Sequence, residues 1–261
     1  LFDGPEAQRM MSRVMMIFGL APAVAPIIGG LLLRVGPWPA IFWFIGGFAL
    51  LLGAAVLAVI PETHPAERRR PLRLGPMLSD LWQVARSGEF ERMSWAITFV
   101  FAGQFIYIGA AAIFVVDLLG KGEGDFWMFF VPMISGVIVG SWISGRAAGR
   151  VSARRLITVG FSFSAAAAVL GVLLAVAFGP VLPWAVVGPS LIALGSGTAF
   201  PTIQVALLDL FPSVRGAAAS VAGVMPLATN AVIASAVAPI VTGSVTALAL
   251  TSLALIVLGC L

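Results

Sequence analysis

The chain has 261 residues, of which 60% are hydrophobic and 10% charged, with a formal net charge of +4. Soluble domains carry about 25% charged residues, so this composition excludes a soluble enzyme, a disordered chain and a nucleic-acid-binding domain. The single cysteine, Cys260, excludes an intrachain disulfide, and one histidine beside it supplies no metal-ligand set.

In chain order, residues 1–13 read as a loop entered from an earlier helix, with no signal peptide before the first apolar run. The chain is therefore expected to be an internal or truncated piece. Val14–Leu33 is an uncharged run of 20 residues, enough to cross a bilayer core as a helix. It carries the cluster Gly19, Pro22, Pro26, Gly29 and Gly30, which predicts a bend or a close helix contact. Val35–Pro61, with 27 residues, predicts a second span.

The longest polar stretch follows, Glu62–Arg92, with Arg68, Arg69 and Arg70 in sequence. Within it Leu74, Met77, Leu78, Leu81, Trp82 and Ala85 recur at helical spacing. That periodicity predicts an amphipathic helix on the membrane surface. The arginines could bind anionic lipid; a solvated linker between two bundles is the simpler reading, and His64 within it is a solvated bystander.

Met93–Val116 and Phe126–Gly145 each predict one span, with 24 and 20 residues. Leu156–Leu208 and Gly216–Leu261, with 53 and 46 residues, hold two helices each. The breaks fall at Gly179–Pro183 and near Pro239–Ser244, where glycine and proline cluster. The fold class is thus an all-α polytopic membrane bundle of eight spans; no ten-residue alternation of a barrel is present. With eight spans, 13 of the 15 cationic residues fall on one side, leaving Arg34 and Lys121 opposite. That side, with both ends of the chain, is predicted to be cytoplasmic.

Gly223-Val-Met-Pro226 in span seven echoes Gly19-Leu-Ala-Pro22 in span one. If the two are equivalent, the repeat unit is six helices, an organisation found in transporters. Polar side chains at mid-depth are the costly ones and so the candidates for function. They are Gln104 and Tyr107 on one face of span three, Thr198, Thr202 and Gln204 in span six, and Thr229 and Asn230 in span seven. Phe200 and Met225 sit among them. Two readings stand for Gln104, Tyr107, Phe200, Gln204, Met225 and Asn230. One is a cavity for a hydrophobic or amphiphilic solute; the other is a set of interhelical hydrogen bonds and packing contacts. No ionisable side chain lies at mid-depth in any predicted span.

The ordered motifs resemble a known family. Ala25-Pro26-Ile-Ile-Gly29-Gly30 resembles the antiporter motif of the major facilitator superfamily, with Ala25 in place of the first glycine. Arg9 and Ser12 precede it, Trp38, Phe42, Trp43 and Phe44 follow, and Pro61-Glu62-Thr63 closes the next run. This order is similar to the Bcr/CflA type of multidrug efflux transporter, departing from it at Pro39, where arginine is usual. Gly140-Ser-Trp-Ile-Ser-Gly145-Arg146-Ala-Ala-Gly149-Arg150 resembles the superfamily's cytoplasmic loop signature, with Gly145 where an acidic residue is usual.

The resemblance implies helices five to twelve of a twelve-helix exporter. Residues 1–60 would end the first six-helix bundle, 61–92 would be the linker, and 93–261 would form the second bundle. It implies alternating access driven by proton antiport in the inner membrane, with no cofactor beyond the proton gradient. The partners would be a small-molecule substrate and lipid, with no nucleic acid, and the full-length protein would be a monomer. Pro22, Pro26, Gly29 and Gly30 would form the antiporter bend. Gly140, Arg146, Gly149, Arg150 and Asp209 would form a cytoplasmic gate, with Asp209 paired to Arg146 or Arg150 in the closed state; alternatively these charges face water and anchor orientation. The alternatives are a sugar or metabolite exporter of the same superfamily, or a truncated and inactive chain. Neither a catalytic triad nor a phosphate-binding loop is present to suggest an enzyme.

Overall fold

The computed structural model describes residues 4–61, 73–122 and 124–261. Glu62, Thr63, His64 and Arg68–Arg70 of the expected linker lie outside the described residues, as does the side chain of Pro26. Each apolar run folds as a helix, because a backbone in lipid must satisfy its own hydrogen bonds. The elements are α1 (Gly4–Val35), α2 (Pro39–Val59), α3 (Leu74–Ala85), α4 (Gly88–Gly109), α5 (Trp127–Ala147), α6 (Ala153–Phe178), α7 (Trp184–Asp209), α8 (Arg215–Val232), α9 (Ala238–Val241) and α10 (Val245–Cys260). Among the described residues no strand occurs. Among the described residues, five stretches are long and apolar enough to cross a membrane: α2, α5, α6, α7 and the continuous Arg215–Val241; α10 is apolar but shorter.

Three local differences separate the structure from the sequence expectation. First, α1 begins at Gly4 and stays helical through Pro22 and Pro26, so residues 4–13 are helix rather than loop. Second, the third span is not one helix: α4 stops at Gly109, and Ile113–Leu118 is wound as a π-helix. A second π segment, Ile233–Val237, joins α8 to α9. Third, α3 forms at the predicted place with its apolar stripe largely exposed, as a membrane-surface helix requires, and it also buries Val84, which lay outside that stripe. Val84 packs with Phe90, Leu207, Ala218 and Ala222, while Leu74, Met77, Leu78 and Trp82 remain exposed.

Helix ends carry recognisable chemistry. The hydroxyl oxygens of Ser87, Ser152 and Ser244 accept from the backbone N–H groups of Phe90, Arg155 and Ala247 at 3.4, 3.4 and 3.1 Å, capping α4, α6 and α10. Gly179, at φ 65°, ends α6 in the left-handed region, and the Pro180–Pro183 turn leads into α7.

The C-terminal helices pack around α7, which buries most of its length. Small residues permit this approach. An added Cβ at Gly140 of α5 would strike the Leu194 carbonyl and lie 2.8 Å from Thr198 N on α7. On the other flank, an added Cβ at Gly188 of α7 would lie 2.7 Å from the Gly171 Cα of α6. Further along, a core of Ile106, Tyr107, Phe114, Phe129, Met133 and Leu248 joins α4, the first π segment, α5 and α10. Its rings run Tyr107–Phe114 at 5.7 Å and Phe114–Phe129 at 5.3 Å between centroids. By contrast, α2 has no buried residue.

Candidate functional site

The residues picked for a solute cavity divide into two groups. Gln104 and Tyr107 are enclosed within the helix packing, at 4% and 2% exposure. Gln104 Oε1 accepts from the Ser196 hydroxyl of α7 at 2.7 Å. The Tyr107 ring stands edge-on to Phe114. Both side chains therefore hold α4 to its neighbours, as interhelical contacts do. Phe200, Gln204 and Met225 are only half-buried, and Phe200 meets Phe101 of α4 at 5.6 Å between centroids. Asn230 is buried, and its Oδ1 has no hydrogen-bond partner among the described residues. Ser196 was not singled out by sequence. Its replacement by alanine is expected to leave the buried Gln104 carbonyl unpaired and to cost about 1–2 kcal/mol, measured as a lower unfolding midpoint in detergent.

The arginine-rich end is arranged differently from the gate expected. Asp209 pairs with Arg215 at 2.9 Å, both about half exposed, an ion pair worth under about 1 kcal/mol in contact with water. Arg146 does not reach Asp209; its guanidinium lies 4.2 Å above the centroid of the Trp142 ring, a cation–π contact. Arg150 is exposed. Gly149 takes φ 79°, which a residue with a side chain rarely adopts, and turns the chain from α5 toward α6. Gly140 lies in the α5–α7 seam rather than in that turn. The Pro22–Gly30 cluster lies in the C-terminal half of α1, where added Cβ atoms at Gly29 and Gly30 would meet nothing within 4 Å.

What joins α1 to the C-terminal helices at this end is a buried polar group. Gln8 Nε2 donates to Thr202 Oγ1 of α7 at 2.8 Å and to the Ser144 carbonyl of α5 at 3.2 Å. Between those partners, Ser144 Oγ and Thr202 Oγ1 are 3.2 Å apart. The Ser12 hydroxyl donates back to the Gln8 carbonyl at 2.8 Å, and Arg9 reaches the Ala148 carbonyl at 3.4 Å. Gln8, Ser12, Ser144 and Thr202 are all buried. Close backbone approach makes the seam possible. Added Cβ atoms would bring Gly145 to 3.2 Å from Ser12, Gly149 to 3.2 Å from Pro5, and Gly19 to 3.0 Å from Val137. Gln8 escaped the sequence analysis because it precedes the uncharged run; the seven-residue spacing of Pro5, Ser12 and Gly19 on one helix face is the signal that marks the seam.

Comparison with known proteins places these features in context. A family model described as Major Facilitator Superfamily matches residues 1–239. The chain is 30% identical over 243 residues to the bicyclomycin resistance protein homolog of Haemophilus influenzae, covering 91% of this chain and 60% of that protein. It is 27% identical over 206 residues to the multidrug resistance protein MdtM of Salmonella typhimurium, covering 77% of this chain and 49% of that protein. To the uncharacterized MFS-type transporter YdgK of Bacillus subtilis it is 28% identical over 161 residues, 61% of this chain and 40% of that protein. The chain thus spans three fifths or less of the length of each of these relatives.

Proposed function

Because the chain belongs to the Major Facilitator Superfamily, a family of multi-pass membrane transporters, we propose that it serves in secondary active export of small amphiphilic or drug-like solutes. The transport step is alternating access with proton antiport across the bacterial inner membrane. The arginine-rich end, with both chain ends, faces the cytoplasm, in keeping with the positive-inside bias. In this reading residues 1–60 belong to one helical bundle, 61–92 form the linker, and 93–261 form the other bundle. The exposed apolar face of α3 rests on the cytoplasmic leaflet, with Arg86 folded over Trp82 at 5.6 Å.

The observation that carries the reading is the family match over residues 1–239 together with relatives named for drug resistance. Phe200, near Phe101, and the half-buried Gln204 and Met225 are side chains of mixed aromatic and amide character, which suits amphiphilic solutes. Gln104 and Tyr107 then brace the packing behind them. The buried Asn230 carbonyl oxygen, without a partner among the described residues, is an acceptor that a water molecule would satisfy.

The test is accumulation of a panel of lipophilic cationic and neutral drugs by cells producing the protein. Reduced accumulation, abolished by a protonophore, is the expected result. Unchanged accumulation of every compound would count against drug export and leave metabolite export as the family alternative.

A further inference from the structure

We propose that Gln8, Ser144 and Thr202 form a reversible polar latch that holds the arginine-rich end of the molecule closed. In the first half of α1, Gln8 and Arg9 hydrogen-bond to α5, its end and α7, and Pro5, Ser12 and Gly19 face glycines or side chains of α5 and the turn after it at close range. All lie in the half of α1 nearest that end. An added Cβ at Gly29 or Gly30 would meet nothing within 4 Å. The hydrogen bonds from α1 to the C-terminal helices thus gather at its arginine-rich end.

The chemistry of the fastening suits repeated opening. Gln8 donates both protons of its amide across the seam, to two different helices. In the closed state these bonds lie in a dry, low-dielectric place, where unpaired polar atoms are costly. When the seam parts, water enters and each donor and acceptor exchanges a protein partner for a water molecule at small net cost. A seal of leucine and phenylalanine would instead expose apolar surface to water every time it opened. The Ser144 carbonyl also accepts from Ala148 N within the helix end at 3.1 Å, so opening strands no backbone acceptor. The seam's small residues, Ser12, Gly145 and Gly149, add close fit without adding much apolar area.

The latch rests on the transport reading only in requiring that α1 and the C-terminal helices part. It is tested on the whole chain in lipid nanodiscs, with spin labels at Glu6→Cys and Val151→Cys in a Cys260→Ser background. The distance distribution between the labels reads the closed and open populations. Gln8→Met keeps the length of the side chain and removes both donors; Thr202→Val keeps the shape and removes the acceptor. Each is expected to raise the open population about tenfold relative to the unlatched-to-latched ratio of the parent, with Gln8→Met the larger. Unchanged distance distributions in both folded variants would overturn the proposal. So would failure of both conservative variants to fold, since the contact would then be a permanent joint. If only one folds, its distance distribution decides. Drug accumulation measured in parallel separates the two ideas. Export without any shift in the distances removes the latch alone, and a shift without export keeps the latch and removes the exporter.

Discussion

Gly140→Leu is expected to separate α5 from α7 and to destabilise the C-terminal helices by at least about 3 kcal/mol. The physical cause is a backbone-to-backbone contact. A Cβ at this position would strike the Leu194 carbonyl and would lie 2.8 Å from Thr198 N and 3.0 Å from the Gly197 carbonyl carbon. None of these atoms is the far end of a side chain that could swing aside, so the helices themselves must move. Displacing α5 would also strain the Ser141 hydroxyl bond to the Gly197 carbonyl and draw Ser144 away from Thr202. The measurement is the unfolding midpoint and the monodisperse yield in detergent. Gly216→Leu, at the start of α8 with open space around it, is the comparison and is expected to change stability by no more than about 0.5 kcal/mol. Equal behaviour of the two variants would show that the α5–α7 seam is looser than described.

Phe114→Ala is the second large effect, at about 2–3 kcal/mol. The ring is fully buried and touches Tyr107 and Phe129. In water the loss would include the transfer of an apolar side chain back to solvent. In a bilayer that part is small, because the unpacked ring can face lipid tails that are equally apolar. What remains is the cavity and the lost dispersion contacts, which lipid cannot fill inside a close-packed bundle. Phe163→Ala, at a ring that is 40% exposed on α6, is expected to cost less than about 1 kcal/mol. Unfolding followed by helical circular dichroism measures both. Because Phe114 sits on the π segment Ile113–Leu118, its loss is also expected to loosen the C-terminal end of α4 before the rest. Faster amide exchange at Ile106–Ala110 in the variant checks this.

Much of the architecture was legible in the sequence. The six uncharged runs are helical, the third of them ending in a π segment; the chain breaks at Gly179–Pro183 as expected and at Thr242–Ser244, just past Pro239, which lies within α9; and α3 appears at Leu74–Ala85. Hydropathy and turn chemistry determine these features locally, since a backbone in lipid has few alternatives to a helix. The motifs also sufficed for the family, because they depend on order along the chain.

The faces of the helices were not legible, and the candidate site suffered for it. Of the two readings open for Gln104 and Tyr107, the described geometry favours interhelical contacts, and Asp209, read as a partner of Arg146 or Arg150 or as a charge facing water, pairs with Arg215. Gly140 was placed in a turn motif and lines a helix seam, while Gln8, Ser144 and Ser196 carried no local mark of their roles. In a soluble protein an apolar stripe shows which face is buried. In a membrane protein the lipid-facing and protein-facing surfaces are both apolar, so hydropathy is nearly silent about which is which. Composition thus determined by itself that this chain is a helical membrane protein, and the order of its motifs carried the resemblance to the major facilitator superfamily. Which polar groups meet, and so where the molecule is fastened, was decided only by the tertiary packing, because the closest helix contacts are set by the absence of side chains at glycine.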